Sequence, residues 1–347
     1  MKTKFFSLTL FLSLFLIACD STGTEEDTEQ QEQNQITALS LYYAQDFIFS
    51  GDQIDLQISD NHGNNVSHKV SLELNGTAIT GSSITFDQSG SHSLKASYEG
   101  YTETFSIDVY ESTFTTKILV EDYTGAWCGY CPRISFKLEE IMETNSNVIV
   151  AAIHNGDAMH YEFEAQMRAA YDVSGFPTAK MNRLDKWNEA EAQLLKKMSN
   201  NAGLGLSINS TAQEELLSIE VGVGVDVPYQ DTKLVVYVLE NGIPLDQVSY
   251  YNADSNSPAY GLGNPISNYI HNHVLRKSLT DVFGESIDSN ELTIEKNYQR
   301  TFEYNFSDLG ITANTVDQFE IVAFVMTSGD KVINVQKAKL GELKAFD

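Results

Sequence analysis

The stretch Lys117-Ile118-Leu119-Val120-Glu121-Asp122-Tyr123 is a near-continuous apolar run, and a helical pattern follows it with Ile134, Leu138, Ile141 and Met142 on one face. Directly between the two stands Trp127-Cys128-Gly129-Tyr130-Cys131-Pro132. A strand that is apolar without alternation belongs to a sheet covered on both faces. After a break at Asn145-Ser146-Asn147, Val148 to Ile153 reads as a second buried strand. Tyr161 to Tyr171 then reads as a helix, Pro177 to Met181 as a strand and Trp187 to Met198 as a last helix. Strands alternating with helices predict an α/β layer.

The chain has three cysteines, Cys19, Cys128 and Cys131. The last two close too short a loop to act as a staple, because the entropy a disulfide removes grows with loop length. Their value is chemical. A cysteine where a helix begins faces unpaired amide N–H groups and the positive end of the macrodipole, which favour thiolate over thiol. Cys128 is therefore the expected nucleophile, and Cys131, one turn later and more buried, the residue that resolves a mixed disulfide. Pro132 falls in the first turn, where its missing N–H costs nothing.

In this region the chain resembles the thioredoxins. Asp122 lies six positions before Cys128, and Gly175-Phe176-Pro177-Thr178 comes later, reached through Tyr171-Asp172-Val173. The resemblance covers Lys117 to Met181. It implies a cis bond before Pro177, which faces the cysteine pair, and a proton-handling role for Asp122. It further implies substrate contacts at Trp127, Gly129, Tyr130, Phe176 and Thr178, with Trp127 packed beside the pair. The Gly-Tyr between the cysteines is similar to that of bacterial periplasmic disulfide isomerases, which does not assign a direction of transfer. One departure stands out: after Met181 the family's β-hairpin is not evident, and Asn182-Arg183-Leu184-Asp185 runs almost straight into the last helix.

Strand patterns flank this core. From Ile36 to Glu111 short alternating runs such as Ile54-Asp55-Leu56-Gln57-Ile58 are separated by turns, with Asn75-Gly76 as a hairpin signal. This predicts an immunoglobulin-like β-sandwich over 36–112, without the cysteines and tryptophan of antibody domains. From Leu206 alternation returns, interrupted by a loop with Pro244, Pro258, Gly261, Gly263 and Pro265 and by a short helical pattern near Arg276 to Phe283. A C-terminal β-sandwich with an inserted helix is expected over 204–347, after a thioredoxin-like domain over 113–203. The fold class is thus multidomain α+β, as a chain of 347 residues requires.

Lys2 and Lys4 precede a Phe- and Leu-rich run that ends in Leu16-Ile17-Ala18-Cys19. A basic start and a short apolar stretch form a signal peptide, here 1–18. Its end resembles the bacterial lipobox, which implies lipidation of Cys19; an ordinary signal with a coincidental cysteine is the bland reading. Residues 19–35 form an acidic, polar tether without apolar period. The expected location is the cell envelope, lipid-anchored to the outer membrane on its periplasmic or surface face. With 22 basic and 48 acidic residues the formal charge is −26, which repels nucleic acid and anionic headgroups and leaves the lipid anchor as the only membrane contact.

No metal or other cofactor is expected. Two thiolates need two further ligands for zinc, and only His154 and His160 lie nearby in sequence. His271 and His273 share a strand face but have no acidic or thiol companion. Asp254-Ser255-Asn256 begins like a calcium loop, yet Pro265 stands where the bidentate glutamate belongs. His154 follows the buried strand and is read as a hydrogen-bonded histidine facing the active-site region.

Lipobox, Thr-Gly-Ala-Trp-Cys-Gly-Tyr-Cys-Pro and a C-terminal β region with His271-Asn272-His273-Val274-Leu275-Arg276 together resemble the Bacteroidetes outer membrane protein 28-related lipoproteins. Two functions follow. One is thiol–disulfide exchange on protein substrates. The other is a binding lipoprotein whose thioredoxin-like scaffold is redox-inert, since fold alone does not set function.

Overall fold

The computed structural model describes residues 35–198, 201–312 and 314–347. The signal peptide, the lipidated Cys19 and all but the last residue of the tether lie outside the described residues. The chain divides into two compact units.

Of the described residues, the first unit takes 35–44, 54–84 and 92–107. Its described residues hold β-strands and no helix. Leu39–Tyr42 pairs antiparallel with Gln57–Asp60. Ser71–Leu74 pairs with Thr77–Ile79 across a turn in which Asn75 (φ 50°) and Gly76 (φ 81°) are both left-handed, as the Asn-Gly signal demands. Ile54, Leu56, Ile58, Leu72, Leu94, Ala96 and Ile107 are buried.

The second unit takes residues 45–53, 85–91 and 108–347. In chain order its main elements are β1 (Ile118–Thr124), α1 (Pro132–Thr144), β2 (Val148–His154), α2 (Glu164–Ala170), β3 (Thr178–Met181), β4 (Asp185–Lys186) and α3 (Glu191–Met198). There follow β5 (Leu204–Gln213), β6 (Leu216–Val225), β7 (Lys233–Glu240), β8 (Ile243–Gln247), β9 (Ile266–His271) and β10 (Val274–Ser278). The last are β11 (Tyr298–Asn305), β12 (Phe319–Met326) and β13 (Val332–Lys339).

One nine-stranded sheet runs in the order β4-β3-β1-β2-β10-β7-β12-β13, with the short strand Glu285–Ser286 beside β7. The strands expected of a thioredoxin-like domain and those expected of a C-terminal sandwich therefore share a single sheet. The seam is narrow: Ala152 of β2 pairs in parallel with Val274 of β10, and Ala152 N–H donates to the His273 carbonyl at 2.7 Å. Chain position 203/204 divides the sequence, not this sheet.

Three apolar layers cover it. Ile118, Val120, Val148 and Val150 pack with Ile134, Leu138 and Ile141 of α1 and Leu194 of α3. On the opposite face Leu119, Tyr123, Ile149 and Ile153 join Met167 of α2, and the same layer continues into Val235, Tyr237 and Phe324. Beyond the seam, Val236, Val238, Ile321 and Ala323 pack against Leu206, Ile208, Val221 and Phe302 of the sheet formed by β5, β6 and β11. Successive residues of β7 and β12 thus enter different cores, which is why these strands are apolar throughout.

Two expectations are corrected. The helical pattern near Arg276 to Phe283 is the end of strand β10 followed by turns, and the described residues of 204–347 hold no α-helix. Val274 and Leu275 are both buried because β10 is covered on both sides, and such a short apolar run has no diagnostic period. The β-hairpin after Met181 is present: β3 pairs with β4, Lys180 opposite Lys186, across a turn with Asn182 (φ 45°) and Arg183 (φ 70°) left-handed. A two-residue strand is too short to show alternation. The last helix starts at Glu191, and Trp187 instead bonds its backbone N–H to Ala179 O at 2.9 Å.

Candidate functional site

β1 ends at Thr124, and the redox loop turns tightly into α1. Cys128 N–H donates to Gly125 O at 2.9 Å and Cys131 N–H to Cys128 O at 3.2 Å. Cys131 caps the helix, Pro132 opens it, and no side chain hydrogen-bonds into its first turn. The positive end of α1 is thereby left to the sulfurs. Cys128 and Cys131 form a disulfide. Both are buried, Cys131 at 1% exposure and Cys128 at 4%, so Cys128 keeps the larger exposed edge.

The Phe176–Pro177 bond is cis. The Phe176 ring meets Trp127 edge to face at 5.4 Å, which brings the proline segment to the redox loop. Trp127 is anchored by its Nε1–H on Asn155 O at 2.6 Å, while 47% of the residue stays exposed. Thr178 sits opposite Tyr123 of β1 and turns its hydroxyl back to Gly175 O at 2.8 Å.

Asp122 is 2% exposed and opposes two alanines, Ala152 and Ala179, on its neighbouring strands. Its Oδ1 has no hydrogen-bond partner among the described residues. Burial pushes its carboxyl from 3.8 up to about 7. The group borders a cavity of about 30 Å³ with Ser135 and Glu139 of α1, His154 of β2, and Tyr269 and His271 of β9. That is room for a water molecule. Neither cysteine is in its wall, so Asp122 turns its open side toward the histidines.

His154 is hydrogen-bonded, Nδ1 to Asp157 Oδ2 at 2.8 Å, and the same oxygen accepts Ala126 N–H at 2.7 Å. Burial works against the Asp157 charge, but the His154 bond and two backbone amides outweigh it and hold the carboxyl low. His154 therefore helps brace the redox loop. Its ring stands 5.2 Å from that of His271. Burial, aided by His154, pushes His271 down to about 4, so it is neutral at neutral pH, and its Nε2 is unpartnered among the described residues.

The two histidines read as one strand face are separated by a turn. Both line the cavity, His271 from the end of β9 and His273 from the turn beyond it, where its φ is 58° and its Nδ1 stands 3.5 Å from Glu320 Oε2. Among the described residues, no group of three or more His, Cys, Asp or Glu side chains is arranged to hold a metal ion. His160 accepts Gly156 N–H at 3.3 Å.

Gln247 at the end of β8 and the residues after it complete the site, and no local sequence motif points to them. Gln247, 3% exposed, donates from Nε2 to Cys128 O at 3.0 Å and to Val248 O at 2.9 Å. Val248 N–H bonds Ala126 O at 2.8 Å and Tyr250 N–H bonds Gly129 O at 2.9 Å. The Tyr250 ring lies over Gly129 so closely that a Cβ there would come within 2.6 Å of its carbons. Only the unusual length of the loop between Gln247 and Ile266 hints at function.

A second buried cluster ties the two halves of the sheet. Arg183, wholly buried, donates from Nε to Glu121 Oε1 at 3.2 Å, from Nη1 to Tyr171 at 2.9 Å and from Nη2 to Tyr237, with the Phe324 ring 4.7 Å away. It is a structural core of charge and has no place at the redox loop.

The disulfide at the helix start, the cis proline beside it and the mostly β architecture define a multidomain, β-rich protein with a thioredoxin-like domain; a thioredoxin family model matches residues 100–200. The family described as outer membrane protein Omp28 matches residues 164–344, half of the chain, and the protein belongs to that family. Among solved structures it is similar to HBP35 of Porphyromonas gingivalis, with TM-score 0.53 and 19% identity over 66% of this chain and 77% of that one. At that identity the likeness is one of fold. A domain of the outer membrane lipoprotein Omp28 from Porphyromonas gingivalis matches at 16% identity over 41% of this chain and 90% of that one, with TM-score 0.26. No curated protein matches the chain.

Proposed function

We propose that this protein exchanges thiols and disulfides with protein substrates in the cell envelope, with Cys128 as the reacting sulfur and Cys131 as its resolving partner. The observation that carries the reading is the Cys128–Cys131 disulfide at the start of α1, beside cis Phe176–Pro177. A substrate thiolate attacks Cys128 Sγ, the Cys128–Cys131 bond breaks, and Cys131 leaves as thiolate. In this reading Asp122, about half protonated near neutrality, supplies a proton to it by way of water, since neither cysteine lines the cavity that Asp122 borders. A second substrate thiolate attacks the sulfur bonded to Cys128, which closes the substrate disulfide and releases Cys128. Two electrons pass from substrate to protein, and the reverse sequence runs the other way. The extra exposure of Cys128 favours attack there. Trp127, Gly129, Tyr130, Phe176 and Thr178 form the substrate contacts in this reading.

The anchor is Cys19, acylated after removal of residues 1–18, and the N-terminal β unit serves as an immunoglobulin-like spacer or binding module. Acyl labelling lost in Cys19→Ala tests the anchor. For the chemistry, purified Cys131→Ser is mixed with a disulfide-containing protein and analysed on non-reducing gels and by mass spectrometry. A mixed disulfide through Cys128 is expected. No trapped species, together with a wild-type disulfide that dithiothreitol cannot reduce, refutes the proposal.

A further inference from the structure

The aromatic rings around the redox loop are unevenly explained by the chemistry above. Trp127 meets Phe176 edge to face. Tyr130 meets Tyr250 edge to face at 4.9 Å and Tyr251 at 6.3 Å. Tyr250 and Tyr130 stay 59% and 55% exposed, so neither ring is serving a core. A cluster of exposed apolar rings at one place on a surface marks a contact site.

Tyr250 does not drift there by chance. Its backbone N–H is bonded to Gly129 O, two residues earlier Val248 N–H is bonded to Ala126 O, and Gln247 Nε2 holds Cys128 O. Ser249 N–H is bonded in turn to Asn264 Oδ1 at 3.1 Å, which ties the two ends of the loop. The loop between β8 and β9 is thus docked along the redox loop. Gly129 leaves the gap that the Tyr250 ring fills. A ring held this way is a rigid surface that loses little freedom when a partner packs on it.

We propose that Tyr250, together with Tyr130, is a specificity wall that selects polypeptide substrates carrying an aromatic side chain next to the reacting cysteine. The inference rests on the thiol–disulfide exchange reading and adds to it a substrate class and a residue from outside the thioredoxin-like strands. When the substrate sulfur reaches Cys128, an adjacent ring on the same segment falls within reach of the exposed Tyr130–Tyr250 pair. Small thiols gain nothing from the wall. One aromatic–aromatic contact gives a preference of about 3- to 10-fold.

The test uses the oxidised full-length protein and two dithiol peptides that differ only in Phe or Ser beside the attacking cysteine. The second-order rate of disulfide reduction is followed by tryptophan fluorescence. The Phe peptide is expected to react about 3- to 10-fold faster with wild type and with Tyr250→Phe, and at nearly the same rate as the Ser peptide with Tyr250→Ala. Because the ratio is internal to each variant, a general loss of activity does not mimic it. Equal rates for the two peptides in wild type, or a ratio unchanged in Tyr250→Ala, overturn the wall while leaving exchange intact. Failure of both peptides to react with wild type overturns the exchange reading and the wall with it.

Discussion

Asp122→Asn removes a carboxyl whose titration burial displaces upward, and the energetic consequence follows from how far it is displaced. The carboxyl titrates near 3.8 in the unfolded chain and at about 7 in the native protein. That displacement corresponds to about 4 kcal/mol of native-state cost once the group is ionised. Below the unfolded value both states hold the proton and the cost is nil. As pH rises, the unfolded chain releases its proton first while the native state keeps it, so wild-type stability falls until the native carboxyl has also ionised. Above about pH 7 the loss is constant. Asparagine is neutral throughout and shows none of it. The assay is urea unfolding with the disulfide intact, followed by the fluorescence of Trp127 and Trp187, which lie in the same unit as Asp122. The stability of the variant relative to wild type should rise by about 3 kcal/mol between pH 4.5 and 8.5. Any pH-independent cost of the buried amide drops out of that difference. Parallel stability curves for the two proteins refute the burial argument. In exchange kinetics the same variant should lose the inflection near neutral pH that an acid–base group titrating there produces.

Arg183→Met should cost about 3–5 kcal/mol, because it strands the Glu121 carboxylate, 0% exposed, without its cation. Adding Glu121→Gln should recover much of that loss in the same urea assay, and a single-variant cost under about 1 kcal/mol contradicts the account. Gly129→Ala places a methyl group within 2.6 Å of the Tyr250 ring, so the ring must swing away. The expected result is a loss of about 1–3 kcal/mol and collapse of the Phe-over-Ser peptide preference, checked by unfolding and by the paired rates.

The parts of this protein that sequence reasoning reaches are those built from neighbours. Ile118 to Tyr123, the redox loop and α1 are contiguous, and their apolar periods translate directly into a strand covered on both faces and a helix with one buried face. Phe176-Pro177-Thr178 was legible by resemblance to a known pattern. The stretch near Arg276 to Phe283 reads as helical, yet it is the end of strand β10 followed by turns, because so short an apolar run fits either period. Nothing local marks Arg183 as buried, because its four partners come from three strands and a helix end: Glu121, Tyr237 and Phe324, and Tyr171. His271 and His273 read as one strand face, yet a left-handed turn at His273 separates them along the chain while both still line the cavity beside Asp122.

Local pattern alone was enough for a strand, a helix and a cysteine pair at their junction, because each depends on residues a few positions apart. What occupies the free edge of β2 was not in that pattern. Its unpaired backbone groups need a partner strand, and any apolar strand of this chain offers the same N–H and C=O groups. Tertiary structure chose β10, with Ala152 beside Val274. That pairing brings His271 to the cavity beside Asp122. The neighbouring β8–β9 hairpin brings Tyr250 over Gly129.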